Sequence, residues 1–154
     1  MPNIKLIIEY NGAKFHGWQF QPGQRTIQEE LHKTLELVLR EKIHHVQASG
    51  RTDVGVHAEA QVVNFFVSKI PDLVRLRRSV SSILKGELSV HSAAVVDDSF
   101  DSRKSSIAKT YRYTIYHTDV PPVLDSGQVW LVHDPLDIVG LIETAQDLIR
   151  KHDF

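Results

Sequence analysis

The chain first alternates in IKLIIEY, residues 4 to 10, which puts Ile4, Leu6, Ile8 and Tyr10 on one side of an extended segment, and Asn11-Gly12 closes it. The period then changes. In TIQEELHKTLELVLRE, residues 26 to 41, apolar side chains recur at Ile27, Leu31, Leu35, Val38 and Leu39, and Thr26 with Glu29 forms a capping box, so an amphipathic helix is predicted. A short strand near 46 to 49 and a longer one near 59 to 67 come next. Pro71 suits the first turn of a second helix, whose apolar positions Leu73, Leu76, Val80, Ile83 and Leu84 keep helical spacing until Gly86. LSVHSAAVV, 88 to 96, reads as a strand. The order β-α-β-β-α-β is that of a ferredoxin-like α+β sandwich: an antiparallel sheet with both helices on one face and the other face open to a ligand or a second domain.

Beyond this frame the pattern predicts added elements. Residues 97 to 110 are polar and carry Arg103, Lys104 and Lys109. TYRYTIYH, 110 to 117, alternates Tyr111, Tyr113 and Ile115 to one side of a strand. Pro121-Pro122 interrupts, QVWLV is a further short strand, and Asp134-Pro135 is placed to cap a third helix with apolar Ile138, Leu141, Ile142, Ala145, Leu148 and Ile149. No repeat, low-complexity tract or linker divides the chain, so residues 1 to 154 read as one continuous unit.

Composition narrows the classes. A hydrophobic content of 42% over 154 residues supplies one core. With 18 Lys plus Arg against 19 Asp plus Glu, bulk charge does not drive binding to a polyanion, although a local basic groove is compatible with it. The absence of cysteine excludes disulfides, thiolate metal sites and thiol catalysis from this chain. No run approaches the roughly 18 apolar residues of a membrane span, and a cytoplasmic location is expected.

The chemistry concentrates in GRTDVGVHA, residues 50 to 58. As a turn, it needs Asp and Gly only for backbone hydrogen bonds and positive φ. As a site, Arg51 and Asp53 stand two apart, so in extended backbone the guanidinium would hold the carboxylate ionised, as nucleophile or base. Gly50 and Gly55 would let a substrate backbone approach. His57 reads either as a proton carrier or as a packed, hydrogen-bonded residue at a strand start. His44-His45 lacks metal-ligand spacing, and no set of convergent carboxylates can be assembled, so no metal is expected. Tyr111 and Tyr113 beside basic residues suit base stacking or a core. Arg75, Arg77 and Arg78, flanked by Lys69 and Lys85, suit phosphates or a solvated helix face. FHGWQFQPGQRTIQ, with Phe15, Trp18 and Phe20, is a loop either tucked against the core or offered to a ligand.

Several segments together resemble the tRNA pseudouridine synthase A family: EYNGAKFHGWQ at 9 to 19, RTIQEEL at 25 to 31, SGRTDVGVHAEAQVVNF at 49 to 65, Phe100 and Arg103 in FDSR, and AKTYRYTIY at 108 to 116. KHDF, 151 to 154, is similar to the start of the family's next segment. The resemblance implies a cofactor-free and metal-free isomerase that converts uridine to pseudouridine in the anticodon arm of tRNA, at positions 38 to 40. It implies Asp53 as the catalytic aspartate, Arg51 as its motif partner and Tyr111 as the aromatic that stacks on the target uracil. Arg25, Gly50, Thr52, His57, Arg103 and Lys109 are the implied RNA-facing residues, with phosphate contacts from Arg103 and Lys109. A cytoplasmic homodimer is implied as the working form.

Two local departures stand out: Leu84-Lys85-Gly86-Glu87 replaces a Leu-Pro-x-Asp-like turn, and FDSR replaces the commoner Phe-His-Ala-Arg. The larger departure is length, since family members carry a second, similar half that closes a cleft over the aspartate. The expectation is therefore an N-terminal half, weak or inactive alone because its aspartate faces water. Two rival readings are a non-catalytic RNA-binding module on the same fold and a metal-dependent phosphoesterase using Asp53.

Overall fold

A computed structural model describes residues 1–149 and 151 of the chain; His152, Asp153 and Phe154, the end of the KHDF match, lie outside the described residues. The elements run β1 (Asn3–Tyr10), a 3-10 turn (Gly12–Lys14), α1 (Ile27–Leu39), β2 (Gln47–Ala48), β3 (Ala58–Phe66), α2 (Leu73–Ile83), β4 (Leu88–Val96), β5 (Ile115–His117), β6 (Trp130–Val132) and α3 (Ile138–Gln146). Contacts divide the chain into two compact units, Met1–Lys109 and Thr110–Phe154.

The first unit is the ferredoxin-like sandwich that the hydrophobic pattern predicts. Four antiparallel strands lie in the order β2-β3-β1-β4. Alternation along β1 buries Ile4, Leu6, Ile8 and Tyr10, and register with β3 places Val63 beside Leu6 and Phe65 beside Ile4 on the same face. Against that face α1 buries Ile27, Leu31 and Leu35, and α2 buries Leu76 and Val80. The core therefore lies between one sheet face and two helices.

Local chemistry sets the helix ends. Thr26 is the N-cap of α1, its hydroxyl accepting from the Glu29 amide, as the capping box predicts. For α2 the expected start at Pro71 moves: Asp72 is the N-cap, its carboxylate accepting from the amides of Val74 and Arg75 at 2.9 and 3.0 Å. Two satisfied amides define a helix start better than the φ of a preceding proline does.

In the second unit the strand predicted over 110 to 117 shortens to Ile115–His117, which pairs in parallel with Trp130–Val132. Alternating tyrosines supply β propensity but no partner backbone, and the ladder runs only as far as β6 does. The cap of α3 also moves, from the expected Asp134-Pro135 to Asp137, whose carboxylate accepts from the Gly140 amide at 3.0 Å. The helix ends at Gln146, before Leu148 and Ile149, and its apolar side chains Ile138, Leu141 and Ile142 are exposed. No helix among the described residues is long and apolar enough to cross a membrane.

Candidate functional site

The loop between β2 and β3 carries GRTDVGVHA. Within it Val56 N–H donates to the Asp53 carbonyl at 3.2 Å across a four-residue turn, and Gly55, third in that turn, takes φ 79. Positive φ at that position is the reason a glycine stands there. The turn reading of Asp53 and Gly55 thus holds for the backbone. It leaves the Asp53 side chain exposed, with no hydrogen bond or ion pair to the described residues.

The aromatic segment 12 to 18 braces this loop from beneath. Trp18 N–H donates to the Thr52 carbonyl at 2.9 Å, Gly55 N–H to the Phe15 carbonyl at 3.4 Å, and Gly12 N–H to His57 Nδ1 at 3.3 Å. Tyr10 Oη and Thr52 Oγ1 lie 2.9 Å apart, and burial pushes the Tyr10 phenol up to about 12. A Cβ at Gly12 would collide with the Val56 carbonyl, and one at Gly17 would lie 2.7 Å from the Thr52 oxygen. Both glycines permit close approach of two backbones. Of the three aromatics in this region, Phe15 and Trp18 are core, and Phe20 is exposed at 52%.

The structure places the remaining predicted residues unevenly. Arg51 makes no ion pair with Asp53 among the described residues. Instead Arg51 lines a cleft of ≈ 340 Å³ together with Gly50, Arg103, Lys109, Gln28 and Gln47; Asp53 is not among its walls. Lys109 Nζ reaches over Gly50, 3.5 Å from where a Cβ would stand. Gln61, not singled out from sequence, holds the Gly50 carbonyl at 2.6 Å and accepts from Ser49 Oγ at 3.1 Å. Three cations meeting polar amides suit a phosphodiester or another anion.

Arg25 is engaged in structure. Its guanidinium bonds both carboxylate oxygens of Glu87 at 3.1 and 2.7 Å and Glu30 at 3.0 Å, and lies 4.6 Å from the Phe15 ring centroid. These bonds raise the Arg25 pKa and hold Glu87 below the usual carboxylate range. The departure Leu84-Lys85-Gly86-Glu87 therefore ends in a carboxylate that ties the start of α1 to the start of β4. His57, through Nδ1, serves as an acceptor for the loop brace, so in that contact its proton is on Nε2. Tyr111, in the second unit, is 73% exposed, and Tyr113 is 86% exposed; neither is core. Among the described residues, no three His, Asp or Glu side chains gather as a cation site.

Sequence reasoning passed over Asn3 and Asn64, both buried in strands. The signal was there: asparagine is depleted in strands, so one in VVNFF marks a polar task.

No family model matches the chain. Among curated proteins, the tRNA pseudouridine synthase A of Methylobacterium nodulans is 39% identical over 155 residues and that of Citrifermentans bemidjiense 40% over 154. The tRNA pseudouridine synthase A 2 of Clostridium perfringens is 37% identical over 155 residues. Each match takes in 100% of this chain, which spans 61 to 63% of the length of these relatives. The resemblance read from separate motifs thus extends over the whole chain.

Proposed function

We propose that the chain is the N-terminal part of a tRNA pseudouridine synthase of the A family, and that Asp53 is its catalytic carboxylate. The observation that carries this reading is an aspartate whose side chain has no partner among the described residues, presented by a loop braced at the Thr52 carbonyl, the Gly55 amide and the His57 ring. A carboxylate that only closed a turn would spend its oxygens on neighbouring amides, as Asp72, Asp101 and Asp137 do.

In this mechanism the target uridine leaves the stack of the anticodon arm, at positions 38 to 40, because its glycosidic bond is out of reach within a stem. Arg51, Arg103 and Lys109 hold flanking phosphates, and the exposed ring of Tyr111 stacks on the extruded uracil. Asp53 then adds to the sugar or the base, or removes a sugar proton. The C–N glycosidic bond breaks, the uracil turns, and a C–C bond forms; the C5 proton is lost and N1 gains one, so the change is an isomerisation with no net redox and no cofactor. Thr52 is held by Tyr10 and Gly50 by Gln61, the His57 ring accepts from the Gly12 amide behind the loop, and Arg25 ties Glu87 to Glu30 beside the Phe15 ring. The working form in this reading is a cytoplasmic homodimer, each subunit completed by a second half.

The exposure of Asp53 also bears on the length of the chain: these 154 residues alone bind RNA with weak or no turnover, since an open carboxylate lacks the desolvation and counter-charges of a closed cleft. The test is pseudouridine formation in an unmodified tRNA transcript by the full-length protein, its Asp53→Ala variant and residues 1 to 154. Turnover lost only in the variant and weak in the short chain supports the reading; full-length turnover unaffected by Asp53→Ala sinks it.

A further inference from the structure

The segment that carries Arg103 is attached to the sheet by two buried amide side chains. Asn3 is 0% exposed and Asn64 4%. Asn64 Nδ2 donates to Asn3 Oδ1 at 3.0 Å, and Asn3 Nδ2 donates to the carbonyls of Asp97 and Phe100 at 3.1 and 2.8 Å. Asn64 Nδ2 also reaches the Phe100 carbonyl at 3.4 Å, and Asn64 Oδ1 accepts from the Ser102 amide at 2.9 Å. Every partner in residues 97 to 102 is backbone. The pin therefore fixes the path of the chain whatever side chains it bears, and between them the two asparagines use all four of their amide hydrogens and both oxygens.

The pinned residue leads directly into the cleft. Arg103 comes immediately after Ser102, and its amide and that of Lys104 donate to Asp101 Oδ1 at 2.8 and 2.9 Å, so a short turn continues the fixed path. Asn64 also stands in register with Gln47, a wall of the same cleft. One buried side chain thus joins β3, which pairs with the β2 strand lining the cleft, to the segment that supplies Arg103, one of its three cations. Because the interior strengthens hydrogen bonds and penalises unpaired ones, such a pin has one low-energy arrangement.

We propose that Asn64 is a positioning residue for RNA binding, acting through Arg103 with Asn3 as its partner. This rests on the cleft being the RNA site. An arginine on an untethered surface segment would lose side-chain and backbone freedom on meeting a phosphate; the pin removes the backbone share beforehand.

The experiment measures tRNA affinity against salt for the full-length protein and for Arg103→Ala, Asn64→Ala and the double variant. Arg103→Ala is expected to lower the slope of log affinity on log salt by about 0.7 to 0.9, one phosphate contact. Asn64→Ala, which removes no charge, is expected to lower it by a similar amount, and the double variant to lose nothing further. An unchanged slope in Asn64→Ala, or effects of the two substitutions that multiply, overturns the inference while leaving the proposed function standing. Wild-type protein without salt-dependent tRNA binding overturns both. A measurement on unaltered protein guards against a variant that fails to fold: the Ser102 amide is expected to exchange with solvent as slowly as core strand amides, and exchange at the rate of an exposed loop overturns the pin.

Discussion

The amide of Trp18 donates to the carbonyl of Thr52 at 2.9 Å, one residue ahead of Asp53. Trp18 itself is 2% exposed and packs at a tilt on Tyr10, with ring centroids 6.2 Å apart, while Tyr10 Oη meets Thr52 Oγ1. The loop that presents the carboxylate is thereby tied by backbone and side chain to the hydrophobic core. A site held this way changes position only when the core does.

Gly17 sits where segment and loop backbones approach closely beside Thr52. At φ 77, and with a Cβ that would lie 2.7 Å from the Thr52 oxygen, Gly17→Ala is expected to cost about 1 to 3 kcal/mol of stability and to displace the Asp53 loop. Urea denaturation reads the first effect. An unchanged midpoint would mean that the two backbones are not in contact.

Asp53→Asn is expected to leave stability within about 0.5 kcal/mol, because the carboxylate has no hydrogen bond or ion pair to the described residues to lose. The same variant is expected to abolish pseudouridine formation by the full-length protein. Thermal melting beside the turnover assay checks both halves; a large drop in melting temperature would instead assign Asp53 to the structure.

Ser102 is 2% exposed, and its buried Oγ finds no partner among the described residues. Ser102→Ala removes a desolvated hydroxyl without opening a cavity, so a gain of about 1 kcal/mol is expected. Calorimetry should show a higher melting temperature. A lower one would show that the hydroxyl is bonded.

The bidentate bond from Arg25 holds the Glu87 pKa below its ordinary value. A carboxyl depressed in the folded state adds stability that is fully present above its unfolded pKa and fades as pH falls through the folded one. Both side chains are partly exposed, at 39% and 21%, so the contribution at neutral pH is about 1 kcal/mol or less. Glu87→Gln is expected to be less stable than wild type at pH 7 and equal to it once the acid limb is passed. Denaturation midpoints from pH 7 down to 3 would reveal a difference that closes on the acid side; a constant gap would assign the loss to packing.

Lys109, exposed beside Gly50, is expected to contact a phosphate. Lys109→Ala should weaken tRNA binding and reduce the salt slope by about 0.7 to 0.9 without altering the melting temperature. Equal slopes for the two proteins would remove Lys109 from the interface.

Much of the fold was legible in the order of residues. Alternation at Ile4, Leu6, Ile8 and Tyr10 and helical spacing from Ile27 to Leu39 depend on short-range periodicity, so the sandwich and its buried face could be read directly. The motif around Asp53 was equally plain, because turn chemistry and charged residues are local. Three things were not local. The strand at Tyr111 depended on a partner backbone that reaches only Ile115. Arg25 found its carboxylates 62 and 5 residues away in Glu87 and Glu30. The Asn3–Asn64 pin joins side chains 61 apart to a backbone nearly a hundred residues from Asn3. Periodicity and turn type are properties of neighbours in the chain, and the sequence alone determined them; which charge meets which, and which buried amide holds which loop, is settled only when distant segments are packed and their polar groups must find partners.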